Sequence, residues 1–135
     1  TAILKINEKD SVCKFDIRYP VTYDGKDILR KLEALGTKCC AEYELLQHKP
    51  PLYVEKDRPF IKELEKAYEE STGQTAGCIA IGGGTYCRYV KNTVSFGPVF
   101  PGQQDLAHQA NEYITLEDLR KITKIYAQAI YNLIK

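Results

Sequence analysis

The chain has 135 residues, with 19 basic and 18 acidic side chains and a formal net charge of +1. That length suits one ordinary domain or two small lobes, and the near-neutral charge gives no bulk attraction to nucleic acid or an anionic membrane. No apolar run nears the roughly 20 residues that span a bilayer, and the opening "TAILKINEKD" does not read as a secretory leader.

Five cysteines (Cys13, Cys39, Cys40, Cys78, Cys87) form no C-x-x-C pair, which predicts reduced thiols and a cytoplasmic location. The chain contains no methionine, even at position 1, which predicts that Thr1 is not a natural start and that the chain is a piece of a longer one.

Residues 2–7, "AILKIN", and 12–19, "VCKFDIRY", alternate apolar with polar around "EKD" and predict a hairpin with one buried face. Asp24 is placed to cap a helix from Lys26 to Leu35, with Ile28, Leu29, Leu32 and Leu35 as its stripe and Gly36 as its stop. "KCCAEYELL" (38–46) has strand character, so the first fifty residues read as β-β-α-β. The segment 48–60, with Pro50-Pro51, forbids helix and predicts an extended connector between two domains.

A second helix is expected from Pro59 through Phe60, Leu64, Ala67 and Tyr68 to Gly73. "CIAI" (78–81) suits a short buried strand, and "TVSFGPVF" (93–100) another. Thr115 with Asp118 opens the last helix as a capping box. Leu116, Leu119, Ile122, Ile125, Tyr126, Ala129, Ile130 and Leu133 then recur at helical spacing to the end.

Three features offer chemistry. Gly82-Gly83-Gly84, followed by Thr85 and Arg88, fits a tight turn or a loop whose N–H groups meet an anion; it lacks the Walker and GxGxxG patterns. Arg18 in "DIRYP" fits a solvated strand face, or a guanidinium that holds a carboxylate. His108 has Glu112 four residues on, but spacing supplies no further ligands, and zinc takes three or four from a protein. By spacing alone His108 is a surface imidazole.

Taken in order, "DIRYP", "KPPLYVEKDRPFIKELEKAYEESTG", "IGGGTYCRYVKNTVSFGPVFPG" and "AHQANEYITLEDLRKITKIYAQAIYNL" resemble the C-terminal portion of bacterial Xaa-His (carnosinase-like) dipeptidases. These are co-catalytic zinc peptidases related to aminoacylase and glutamate carboxypeptidase. The resemblance implies an α+β fragment in two parts. Residues 1–49 would be the end of a ferredoxin-like lid domain, and residues 50–135 the C-terminal segment of an α/β catalytic domain.

By position, His108 would be a ligand of one of two zinc ions, and Gly83, Gly84 and Thr85 the loop meeting the C-terminal part of a dipeptide substrate. Arg18 would be the lid arginine for the substrate carboxylate, and Glu112 a residue behind the metal ligand. The remaining ligands and the general base would lie in an N-terminal half, so no catalytic residue is expected in this chain. Alone it would be inactive, without bound zinc, and prone to self-association through uncovered apolar surface. A second reading, from the residues alone, is a noncatalytic α+β module that binds a small carboxylate or mediates dimerisation.

Overall fold

The computed structural model describes residues 2–97 and 99–135, in two compact units, residues 1–53 and 54–135. The expected α+β class is observed: a two-stranded antiparallel sheet and three α-helices.

In the first unit, β1 (Ala2–Ile6) pairs with β2 (Ser11–Phe15), from Ala2 opposite Phe15 to Ile6 opposite Ser11. Asn7 makes the turn: its N–H donates to the Asp10 carbonyl at 3.0 Å, and its Oδ1 accepts from the N–H groups of Lys9 and Asp10 at 2.9 and 2.8 Å. The strand expected over 12–19 stops at Phe15. In this register Phe15 faces Ala2, the first of the described residues, and the described ladder ends with that pair.

Helix α1 (Gly25–Lys38) starts where expected, with Asp24 Oδ1 accepting from the N–H of Lys26 at 2.8 Å. It does not stop at Gly36. The helix runs on to Lys38 and closes with Cys40 in the left-handed region at φ 52°. The N–H of Ala41 reaches the Gly36 carbonyl at 2.9 Å, and that of Cys40 the Thr37 carbonyl at 3.1 Å, which is the Schellman arrangement. Gly36 serves close approach instead: a Cβ there would lie 3.3 Å from both the Ala41 carbonyl oxygen and Tyr43 Cβ. With its first residues spent on this cap, the strand expected over 38–46 does not form, and the β-β-α-β reading is corrected to β-β-α.

The connector is tied back within this unit. His48 Nε2 lies 2.7 Å from Tyr19 Oη, with the two rings stacked. Both atoms sit where a Cβ on Gly25 would fall, so glycine is what lets α1 start beside them.

In the second unit, α2 (Pro59–Thr72) begins with proline in its first turn and ends at Gly73, left-handed at φ 71°, whose N–H donates to the Glu69 carbonyl at 2.8 Å. Helix α3 (Leu116–Ile134) has a capping-box-like start: Thr115 Oγ1 accepts from the Asp118 N–H at 3.0 Å and donates to Asp118 Oδ2 at 2.6 Å. The carboxylate meets the cap hydroxyl rather than its backbone N–H. The two helices pack through Ile61 and Ala67 of α2 and Ile122, Ile125 and Ala129 of α3, the buried core of the described residues. Each isoleucine buried there contributes about 1.5–3 kcal/mol. Asn132 Nδ2 adds a hydrogen bond to the Glu63 carbonyl at 3.4 Å.

The strands expected at 78–81 and 93–100 are not present among the described residues; Pro98, inside the second, lies outside them. Ile79 is 87% and Ile81 59% exposed, an apolar run with no neighbouring strand to complete its ladder.

Candidate functional site

The glycine loop lies between α2 and a short 3-10 turn at Tyr86–Tyr89. Ahead of it, Cys78 Sγ donates to Glu65 Oε1 at 3.7 Å, and Glu65 Oε2 accepts from Lys62 Nζ at 2.9 Å. The lysine hydrogen bond holds the Glu65 carboxyl below its usual range, while burial and then the Glu65 charge push the Cys78 thiol up.

None of the three loop glycines has a positive φ, and a Cβ on Gly82 or Gly83 would meet nothing within 4 Å. On Gly84 it would meet only the Arg88 guanidinium, at 3.7 Å. Neither backbone conformation nor the packing of the described residues therefore demands glycine here. What Gly82 and Gly83 leave is open space on their Cβ side, through which another molecule could approach the main chain closely.

Thr85 occupies the N-cap position of the 3-10 turn, yet its side chain makes no capping hydrogen bond. Its Oγ1 is instead 2.9 Å from Ser95 Oγ, which lies 3.3 Å from Cys87 Sγ. Hydrogen bonds from Ser95 first, then Thr85, hold the Cys87 thiol below its usual range. The next residue is anchored from α3: Tyr126 Oη donates to the Phe96 carbonyl at 2.8 Å, and the two rings are in tilted contact. Sequence reading missed Ser95 and took Tyr126 only as part of the helix stripe. Neither position carries a local signal, because the partners are 10 and 30 residues away.

His108 sits in a pair of consecutive tight turns. The Gln109 N–H donates to the Leu106 carbonyl at 3.0 Å, and the Glu112 N–H to the Gln109 carbonyl at 3.3 Å. The third residue of each turn is left-handed, His108 at φ 65° and Asn111 at φ 60°, as a type II turn requires. Carboxylates brace both ends: Asp105 Oδ1 accepts from the Ala107 N–H at 3.0 Å, and Glu112 Oε2 from the His108 N–H at 3.1 Å. Glu112 thus meets His108 through the main chain.

The loop feeds directly into the α3 cap, and Gln103 Nε2 donates to Asp118 Oδ2 at 3.0 Å to hold the preceding segment there. Among the described residues no group of three or more His, Cys, Asp or Glu side chains gathers to hold a metal ion. One imidazole does not make a zinc site, so the described residues by themselves do not complete one.

Arg18 belongs to the first unit. It lies beyond the end of β2, with Nη2 3.4 Å from Asp16 Oδ2 and both side chains exposed. The strand expected beneath it from the sequence ends at Phe15 among the described residues.

The sequence model of Peptidase family M20/M25/M40 matches residues 5–132. The chain belongs to this family. Its relatives include "Putative dipeptidase YtjP" of Bacillus subtilis (strain 168), 48% identical over 122 residues, covering 89% of this chain and 25% of that protein. Another is a "Putative dipeptidase" of Staphylococcus epidermidis, 38% identical over 126 residues, covering 93% of this chain and 27% of that protein. This M20/M25/M40 chain therefore spans about a quarter of the length of the curated relatives it matches. No helix among its described residues is long and apolar enough to cross a membrane.

Proposed function

We propose that the chain is the C-terminal part of a cytoplasmic metallodipeptidase. The observation that carries this is the 48% identity, over 89% of the chain, to the Bacillus subtilis protein. Residues 1–49 are then the end of a lid domain, and residues 50–135 the last segment of the catalytic domain.

His108 contributes one imidazole to one of two zinc ions, and Glu112, through the His108 N–H, fixes the loop that presents it. Gly83, Gly84 and Thr85 meet the C-terminal part of a dipeptide, and the Arg18 guanidinium takes its carboxylate. Such metals, when bound, supply an activated water and polarise the peptide carbonyl. The other ligands and the general base lie in the remaining three quarters of the protein, and this chain alone neither holds zinc nor turns over substrate. Its exposed Leu116, Ile130 and Ile134 favour self-association when it is isolated.

The test is made in the full-length protein, by dipeptide hydrolysis and metal content with and without His108→Ala. Loss of activity together with loss of metal is expected. Unchanged activity and metal content in the variant would overturn the assignment of His108, and a wild-type protein without dipeptidase activity would overturn the function.

A further inference from the structure

Ser95 stands between the glycine loop and the body of the second unit. On one side it meets the hydroxyl of Thr85, which the 3-10 turn leaves uncapped, and the thiol of Cys87. On the other, the carbonyl of the next residue, Phe96, is held by Tyr126 of the best-packed helix. None of the loop's glycines has a positive φ, and a Cβ added at Gly82 or Gly83 would meet nothing within 4 Å, so packing around these positions does not fix them. Side-chain links of this kind are what can give such a loop a defined position.

We propose that Ser95 is a positioning residue that orients the Thr85 hydroxyl toward the carboxylate end of the substrate; this rests on the dipeptidase reading above. Either partner of each contact can be the donor. In the proposed arrangement Cys87 is a thiol whose S–H donates to Ser95 Oγ while the Ser95 O–H donates to Thr85 Oγ1. Only a deprotonated Cys87 draws the two hydroxyl protons toward itself. A hydroxyl has a single proton, so a Thr85 that accepts from Ser95 keeps its own O–H to donate outward. A carboxylate, which only accepts, needs that polarity. Without Ser95 the Thr85 rotor is unrestrained, and part of the substrate contact is lost before chemistry begins. That is a loss of uniform binding, which raises KM and leaves kcat unchanged.

The experiment uses the full-length protein carrying Ser95→Ala, Ser95→Thr or Tyr126→Phe, with folding checked by circular dichroism. Two quantities are read: KM and kcat for a dipeptide, and the pH profile of Cys87 alkylation by iodoacetamide, followed on the Cys87 peptide by mass spectrometry. Ser95→Ala is expected to raise KM by roughly two- to tenfold, the range for one net hydrogen bond, with kcat unchanged. It should also move Cys87 alkylation to higher pH, because the thiolate loses a donor. Ser95→Thr, which keeps the hydroxyl, should restore both, and Tyr126→Phe should raise KM by less.

A KM unchanged by Ser95→Ala in an active enzyme overturns the proposal, as does a fall confined to kcat or a failure of Ser95→Thr to rescue. If the wild-type protein has no dipeptidase activity, the functional reading fails on its own. The alkylation profile then decides the Ser95 contacts separately, and an unmoved profile overturns them.

Discussion

The carboxylate of Glu112 holds the backbone N–H of His108 at 3.1 Å, across a loop in which His108 and Asn111 both adopt left-handed conformations. A left-handed residue other than glycine costs roughly 1–2 kcal/mol, and this loop carries two of them in four residues. The braces from Asp105 and Glu112 are what offset that cost. The backbone at His108 is thus fixed by main-chain contacts to acidic side chains.

Replacement of Glu112 by alanine should therefore loosen the loop without melting α3, whose cap is formed by Thr115 and Asp118. Amide exchange at His108 should accelerate by about fivefold or more, since a hydrogen bond to a charged group is worth about 1.5 kcal/mol before solvent screening. Nuclear magnetic resonance exchange measurements read this directly. On the proposed role of His108 as a metal ligand, the same change in the full-length protein should weaken metal binding by about tenfold. Unaltered exchange at His108 would show that the brace is not what holds the loop.

Cys40 carries the left-handed position of the α1 Schellman cap, where glycine is the usual occupant. Cys40→Gly relieves the Cβ strain and gives back part of it as unfolded-state entropy. The net expectation is a gain of about 0.5–1 kcal/mol, seen as a higher midpoint in chemical denaturation followed by circular dichroism. Cys40→Val should move the midpoint the other way, because a β-branched residue fits this region worst.

Ile125 is 5% exposed and is one of the buried residues of α3 in the core it shares with α2. Truncation by Ile125→Ala should cost about 2–4 kcal/mol, a large share of what so small a core supplies. Helix content should fall at a lower denaturant concentration. Ile130→Ala, on a side chain 60% exposed, should leave the midpoint of the isolated chain nearly unchanged.

The two cysteines flanking the glycine loop should separate by pH. Hydrogen bonds from Ser95 and Thr85 lower the Cys87 thiol, whereas burial and the Glu65 charge raise that of Cys78. The thiolate is the reactive form, so as pH rises Cys87 becomes alkylated first and Cys78 later. Peptide mapping after timed iodoacetamide treatment across a pH series checks the order. Glu65→Gln removes the charge that opposes the Cys78 thiolate, and should bring Cys78 reactivity to lower pH.

Much of the architecture was legible in the residues. The helices of the described residues, the Asp24 and Thr115 caps, the Gly73 stop, the pairing of the hairpin and the α+β class follow from patterns that close within a few positions. The buried face expected of the hairpin is not observed, since every residue of β1 and β2 is exposed. The family, too, is carried by the ordered segments themselves. Helices and their caps complete their hydrogen bonds over three or four residues, so local sequence is sufficient to specify them.

Tertiary structure decided the rest. Gly36 reads as a helix stop, but the return of Ala41 and Tyr43 across it makes it a point of close approach inside α1. Segments 38–46, 78–81 and 93–100 have strand composition, yet a strand exists only when a second backbone supplies its ladder. Arg18 falls outside the sheet because β2 ends at Phe15, opposite Ala2. The links from Thr85 to Ser95 and from Tyr126 to Phe96 join positions 10 and 30 residues apart. No local pattern encodes a hydroxyl's partner at that separation; only the folded path of the chain brings the two together.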